Sequence, residues 1–345
     1  MNIRHIAASK VVAAALASVA SGNAAAQAAP LEFNYGYTTA DHVNLYVAQD
    51  LNLFEKVGLK PNFFTFPSGA PLLAALKSES LDVLTAGLGF AFALGQKIPL
   101  TMLYWNSNDS TGEGLVVNAK SGIKSFQDIG KATKIGAASG TCAQVALYLM
   151  GKKVGIDYNK FNVVNLPAPL FRNSFLSNSI DAGIAWSPYS VMLDAEGYKV
   201  VSWDSEYTPP GGLCPRTTAA RPAYLKAHPE IGVRLLQVDA MASEAVAKNP
   251  QLAYDALVKR LSLAPAVAKA TVDRVYMQRP TYAQQLDPAS PYSMTSKEGG
   301  LAGKYLQATQ VLFETKSISE PVPMSVIQGA IDPTYLKQFV ERGGK

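Results

Sequence analysis

The sequence is poor in the residues that most often bind metals or carry out catalysis. It contains two cysteines and three histidines, and it has no Cys-x-x-Cys motif. A Gly-x-Ser-x-Gly motif and a phosphate-binding loop ending in Lys-Ser/Thr are absent as well, and no spacing forces two carboxylates together. We therefore predict no metal site and no cofactor, and we expect a protein that is not an enzyme.

The sequence also lacks an apolar run long enough to span a bilayer. Its first segment, Met1–Ala28, instead has basic residues Arg4 and Lys10, an apolar stretch Val11–Ala20, and a small-x-small site at Ala26-Gln27-Ala28. This order is typical of a cleaved secretory signal peptide. We therefore predict export to the periplasm as a soluble protein.

Runs of lysine and arginine are missing too. Loss of Arg4 and Lys10 with the leader lowers the formal charge of +5 by two, to +3, because the leader has no acidic residue. So small an excess of positive charge gives no reason to propose nucleic acid as a partner.

The two cysteines, Cys142 and Cys214, would lie in an oxidising compartment. Export favours a disulfide between them. The alternative is two separate thiols, each buried as a small apolar side chain.

Two stretches of the chain repeat one order of elements. In the first, a strand at Asn62–Phe66 leads through Ser68-Gly69-Ala70 into a helix, and a second strand follows at Asp82–Ala86. In the second, a strand at Lys134–Ala137 leads through Ser139-Gly140-Thr141 into another helix. A strand at Asp181–Trp186 completes this second series. Both loops should lie at the carboxyl ends of parallel strands, where open α/β sheets bind ligands.

Two extended segments, Glu113–Asn118 and Arg216–Arg221, flank the second series. The pattern predicts an α/β protein of two lobes, each a mostly parallel sheet flanked by helices, joined by these segments as crossover strands. Lobe one would comprise residues 29–118 and 217–345, and lobe two residues 119–216. Such a hinge closes over a ligand.

Several motifs resemble one family of periplasmic solute-binding proteins of ABC importers, the taurine-, alkanesulfonate- and nitrate-binding proteins. They are Phe66-Pro67-Ser68-Gly69-Ala70-Pro71 with Leu81-Asp82-Val83, Ile180-Asp181-Ala182 with Trp186-Ser187-Pro188, and Leu225-Lys226-Ala227-His228-Pro229-Glu230. The resemblance runs from about Phe33 to about Lys248. It implies a type II-like binding-protein fold and a small organic anion as ligand.

Together, the loops and the resemblance indicate which residues contact the ligand. The candidates are Thr38, Thr39, His42, Ser68, Gly69, Ala70, Gly89, Phe90, Ser139, Gly140, Thr141, Trp186, Tyr189 and Arg216. Free N–H groups at a helix N-terminus suit an anion, which favours both Ser-Gly loops. The alternatives are a simple N-cap for Ser68, a surface position for His42, a core position for Phe90 and interlobe packing for Trp186.

Arg216 is the candidate that most affects ligand choice. It lies near the position where the taurine-binding relatives are expected to carry an acidic residue for the ligand amine. A ligand contact by Arg216 would disfavour taurine and favour a sulfonate or carboxylate, with an aromatic dicarboxylate such as phthalate fitting well. The alternative is a salt bridge from Arg216 to an acid such as Glu113.

The expected function is that of a monomeric receptor that closes over a small organic anion and delivers it to the transmembrane subunits of an ABC permease. An enzyme on the same scaffold, acting on a thiamine-pyrimidine or menaquinone precursor, is the second hypothesis. Because such enzymes are typically cytoplasmic, the leader favours the receptor.

Overall fold

The computed structural model describes residues 29–208 and 212–344, so the predicted leader lies outside the described residues. The strands are, in chain order, β1 (Leu31–Thr38), β2 (Leu59–Phe66), β3 (Val83–Ala86), β4 (Thr101–Asn108), β5 (Gly114–Val117), β6 (Ile135–Gly136), β7 (Val163–Val164), β8 (Ala182–Ala185), β9 (Lys199–Trp203) and β10 (Pro215–Ala220). These positions agree closely with the apolar runs of the sequence.

Helices connect and cover the strands. The α-helices are α1 (Val43–Asp50), α2 (Leu53–Lys56), α3 (Gly69–Lys77), α4 (Gly89–Gly95), α5 (Cys142–Val154), α6 (Phe171–Leu176), α7 (Tyr189–Ala195), α8 (Pro222–Ala227), α9 (Ile231–Lys248), α10 (Gln251–Leu261), α11 (Pro265–Arg274), α12 (Tyr282–Leu286), α13 (Gly300–Glu314), α14 (Met324–Gly329) and α15 (Thr334–Glu341). Short 3-10 helices lie at Asp109–Thr111, Phe126–Lys131, Tyr158–Lys160, Ala168–Leu170, Asp204–Glu206 and Tyr276–Gln278.

The strands form two five-stranded sheets of the same topology. The first has the order β2-β1-β3-β10-β4 and the second the order β7-β6-β8-β5-β9. In each sheet four strands run in one direction, and the inserted strand, β10 or β5, is antiparallel to both of its neighbours. The repeated order of elements in the sequence therefore corresponds to two similar sheets, and we call the parts built around them lobe one and lobe two.

The chain passes between the sheets twice, once between β4 and β5 and once between β9 and β10. The first passage lies before the boundary that we predicted at residue 118. The reason is that β5 hydrogen-bonds to β8 and β9, so it is a central strand of the second sheet. All four residues of β5 are buried, as expected for a strand covered on both faces.

Each sheet has its own apolar core. In lobe one the core extends from β3 to the C-terminal helices and includes Leu84, Leu236 and Leu336. In lobe two, Leu115 and Val116 of β5 belong to separate clusters. They do so because successive strand residues point to opposite faces of the sheet.

The C-terminal helices also contact lobe two. The Gln144 side-chain amide on α5 donates to the hydroxyls of Thr315 (2.8 Å) and Ser317 (2.6 Å), which follow α13. The Arg274 guanidinium on α11 lies 3.7 Å from the ring centroid of Trp203. Among the described residues, no helix combines the length and apolar character needed to cross a membrane.

Candidate functional site

Three loops of lobe one line a common cavity. Thr38 ends β1, Ser68 and Gly69 follow β2, and Gly89 lies in the loop after β3, where α4 begins. Because β1, β2 and β3 are parallel neighbours, their carboxyl ends meet at one edge of the sheet.

Two segments of lobe two line the same cavity from the other side. Thr141 lies at the start of α5, and Trp186 follows β8. The Trp186 indole N–H donates to the carbonyl of Thr39 over 3.2 Å, so the two lobes are in direct contact at this point.

We call this cavity the interlobe cleft. It is lined by Thr38, Ala40, Ser68, Gly69, Ala86, Gly87, Leu88, Gly89, Asp109, Glu113, Thr141, Cys142, Trp186 and Cys214. About 450 Å³ of space, including the part open to solvent, lies between these residues.

The N-termini of two helices meet at the cleft. Ser68 is the N-cap of α3 and makes no capping hydrogen bond through its hydroxyl, whereas the Thr141 hydroxyl caps α5 by accepting from the N–H of Ala143. The first N–H groups of an α-helix have no partner within the helix, and the helix dipole makes this end positive. The arrangement can therefore bind a small anion through backbone N–H groups and the free Ser68 hydroxyl.

Six of the predicted contact residues line the cleft: Thr38, Ser68, Gly69, Gly89, Thr141 and Trp186. Ala70 is exposed in the first turn of α3, and Tyr189 packs edge-on against Trp186 with the ring centroids 6.3 Å apart. Their contact with a ligand stays a prediction.

The loop before α5 is held in place by side-chain amides. The N–H of Ser139 donates to the side-chain oxygen of Asn165 over 3.0 Å, and the N–H of Gly140 donates to that of Gln144 over 2.7 Å. Gly140 has a φ of +70° and lies against Phe92, which explains the glycine at this turn. Ser139 and Gly140 thus position Thr141, and neither belongs to the lining.

Arg216 does not belong to the cleft lining. The alternative of a salt bridge to an acid describes its position, with Asp41 and Asp109 as partners rather than Glu113. The Arg216 side chain donates to the carboxylate of Asp41 at 2.7 Å and to that of Asp109 at 2.9 Å, and one more N–H donates to the Asp41 carbonyl. Only 3% of Arg216 is exposed. The predicted preference for a dicarboxylate over taurine assumed that the positive charge of Arg216 is available to a ligand. Two buried carboxylates neutralise that charge instead.

His42 is a buried packing residue rather than a surface residue or part of the cleft lining. Its ring stacks edge-on against Tyr37 and Tyr46, and its Nε2 lies 2.8 Å from the carbonyl of Thr38. Burial and the nearby charge of Arg216 hold the pKa of His42 well below its usual value. The ring is therefore neutral and donates to Thr38, which fixes the end of β1.

Phe90 is fully buried in the core of lobe one and does not line the cleft. The sequence left open a core position for Phe90, and the structure places it there. The adjacent Gly89 does line the cleft, so the loop after β3 contributes backbone rather than an aromatic wall.

The predicted disulfide between Cys142 and Cys214 is present. Their Cα atoms are 5.6 Å apart, and the bond joins the first residue of α5 to the segment that enters β10. The disulfide thus links lobe two covalently to the segment that enters β10 of lobe one, at the cleft wall.

Two acidic residues of the lining, Asp109 and Glu113, escaped the sequence-based prediction. Both lie in the passage from β4 to β5 and are buried. Burial raises the pKa of Asp109 to about 6 although Arg216 opposes the shift. Burial, with the neighbouring charges of Asp204 and Asp109, also raises the pKa of Glu113 well above its usual value. The one sequence signal that could have indicated these acids was the polar loop before the extended segment Glu113–Asn118.

Glu113, Cys142 and Cys214 place potential metal-ligating atoms within 4.8 Å of one another. The two sulfurs are joined in the disulfide, however, and a metal is bound by thiolates. The group therefore does not form a metal site in the oxidised protein.

Comparison with known proteins agrees with this architecture. The sequence profile described as NMT1/THI5-like matches residues 39–253, which is more than half of the chain. The chain belongs to the NMT1/THI5-like family. The match includes the loops of both lobes that line the cleft.

Relatives of this family member are named as binding proteins. A Brucella abortus protein that carries such a name is 26% identical over 220 residues, which cover 63% of this chain and 67% of the relative. A Bacillus subtilis protein named for binding aliphatic sulfonates is 29% identical over 188 residues, covering 54% of this chain and 55% of that protein. These names agree with the expectation of a binding protein rather than an enzyme.

The fold is that of solved periplasmic binding proteins. The alkanesulfonate-binding protein SsuA of Xanthomonas axonopodis, solved with MOPS bound, superimposes with a TM-score of 0.69. The match is 21% identical in sequence and covers 89% of this chain and 99% of that chain. At this identity the match shows a shared fold.

Proposed function

We propose that the protein is the periplasmic receptor of an ABC importer and captures a small organic sulfonate or carboxylate in the interlobe cleft. The observation that carries the proposal is the meeting of the α3 and α5 N-termini, from different lobes, in one cavity. An anion held between them contacts both lobes at once, so binding favours the closed form.

Backbone groups and one hydroxyl supply the anion site in this proposal. Pro71 occupies the third position of α3 and has no N–H, so Gly69 and Ala70 are the amide donors of that first turn. The Ser68 hydroxyl adds a third donor, and Trp186 forms the apolar wall across the cleft. The receptor acts as a monomer and presents the closed form to the transmembrane subunits of the permease.

Ligand screening followed by a single substitution tests the proposal. Native mass spectrometry of the exported protein identifies any copurified compound, and a thermal-shift panel then compares taurine, alkanesulfonates, nitrate, benzoate and phthalate. A ligand at about 100 times its Kd adds roughly 2.7 kcal/mol to the free energy of unfolding.

Ser68→Ala should weaken binding of the best compound by about tenfold or more, because a hydrogen bond to a charged group is lost. Its unfolding free energy without ligand should stay unchanged, since the hydroxyl caps nothing. Ser125→Ala is the matched control, because Ser125 is also an extended N-cap without a side-chain hydrogen bond, in lobe two outside the cleft lining. Absence of any binding, or full affinity in Ser68→Ala, would contradict the proposal.

A further inference from the structure

The Glu113 carboxyl group has an unusual position for an acid. It lies in the cleft lining with 1% of the residue exposed. Its Oε1 has no hydrogen-bond partner in the described parts of the chain, 29–208 and 212–344. Its Oε2 lies 3.7 Å from Sγ of Cys214, which has no proton to donate because it belongs to the disulfide.

Within residues 29–208 and 212–344, no positive side chain forms an ion pair with Glu113. The lining contains two carboxylates, those of Asp109 and Glu113, and it includes no lysine, arginine or histidine among the described residues. The guanidinium of Arg216 is already paired with Asp41 and Asp109. A buried carboxylate without a donor or counter-charge is strongly unfavourable, so the ligand-free group favours its protonated form. A cationic partner from outside the chain is the complement that allows Glu113 to ionise.

We propose that Glu113 binds a protonated nitrogen of the ligand, so that the preferred ligand is a small zwitterion. Its anionic group lies at the N-termini of α3 and α5, and its ammonium or similar cationic group pairs with Glu113. This inference rests on the proposed function and adds the class of ligand to it.

The two ends of such a ligand must lie close together. The carboxylate of Glu113 lies within 4.8 Å of Sγ of Cys142, and Cys142 is the first residue of α5. A nitrogen on Glu113 is thus next to the anion site, which suits a chain of two or three carbons between the charges. Amino-sulfonates and amino-carboxylates of this size are the predicted class, in contrast to the sequence-based argument against an amine.

Matched ligand pairs test the inference on the intact wild-type protein. Isothermal titration calorimetry compares taurine with ethanesulfonate, 3-aminopropanesulfonate with propanesulfonate, and β-alanine with propanoate. Within at least one pair, the amino compound should bind roughly 30-fold tighter or more, because removing one partner of a buried charge pair costs at least about this factor.

Glu113→Gln should abolish this preference while still binding the compounds without nitrogen. Glu55→Gln, on an exposed residue of α2 outside the lining, is the control and should keep the wild-type preference. The wild-type comparison needs no variant, so a folding defect in Glu113→Gln would not prevent a decision.

The outcomes separate the two proposals. If wild type binds both members of every pair equally, the zwitterion inference is wrong and the anion receptor stands. If Glu113→Gln binds both members more tightly than wild type, Glu113 repels the ligand anion, and the inference is again wrong. If no member of any pair and no compound of the wider panel binds, the proposed function fails, and this inference fails with it.

Discussion

Replacement of Arg216 by methionine should destabilise the protein severely, although the sequence places this residue among the ligand contacts. The guanidinium is paired with the carboxylates of Asp41 and Asp109 and also donates to the Asp41 carbonyl. Side-chain exposure is 4% for Arg216, 0% for Asp41 and 9% for Asp109, so water replaces little of what is lost.

The magnitude follows from the burial of both ion pairs. Removing one partner of a buried pair costs about 3–5 kcal/mol, because an uncompensated charge is left behind. Here two carboxylates lose the same partner, so Arg216→Met should lower the unfolding free energy by at least about 3 kcal/mol. That is a large part of the roughly 5–15 kcal/mol typical of folded proteins.

Urea denaturation followed by circular dichroism, without ligand, measures this loss. Arg172→Met is the control, because the Arg172–Glu196 pair is 55% and 33% exposed and should contribute only about 0–1 kcal/mol. The triple variant Asp41→Asn, Asp109→Asn, Arg216→Met should recover part of the loss, since no charge is then left unpaired. An Arg216→Met protein of nearly wild-type stability that no longer binds its ligand would refute this account.

Two further predictions concern stability. Replacing both Cys142 and Cys214 by alanine should lower the unfolding free energy by roughly 4 kcal/mol, because the disulfide closes a loop with a sequence separation of 72. Urea denaturation measures this loss, and a loss below about 1 kcal/mol would contradict the entropic reasoning. Glu113→Gln should stabilise the ligand-free protein by roughly 1–3 kcal/mol near pH 8 and leave it unchanged near pH 4. Because the pKa of Glu113 is raised, the folded state still holds a proton at pH values where the unfolded state has lost it. The free energy of unfolding of the wild type therefore falls as the pH rises above the usual carboxyl pKa of 4.5. Equal stability of the two proteins near pH 8 would contradict this prediction.

Local signals in the sequence predicted well which strands and helices surround the site. The apolar runs that end at Phe66 and Ala86 became β2 and β3, and the glycines after them start helices at the cleft. Strand ends and helix starts are determined by nearby residues, and a repeated order of elements indicates a repeated topology. The positions of Ser68, Gly69 and Thr141 could therefore be predicted.

The partners of the buried charges could not be predicted in the same way. Arg216 pairs with Asp41 and Asp109, which lie 175 and 107 residues away in the sequence. They meet because β10 inserts next to β4 and places Arg216 opposite Ser107. Such a neighbourhood depends on strand order, which no local pattern of charge reveals.

A crystal structure with the tightest-binding compound of the ligand panel tests the central claim most directly. We predict that the anionic oxygens lie within hydrogen-bond distance of the Ser68 hydroxyl and the first N–H groups of α3 and α5. We also predict a ligand nitrogen on the carboxylate of Glu113, with Arg216 still paired to Asp41 and Asp109. An anionic group bound to Arg216, or a ligand bound outside the interlobe cleft, would contradict the account.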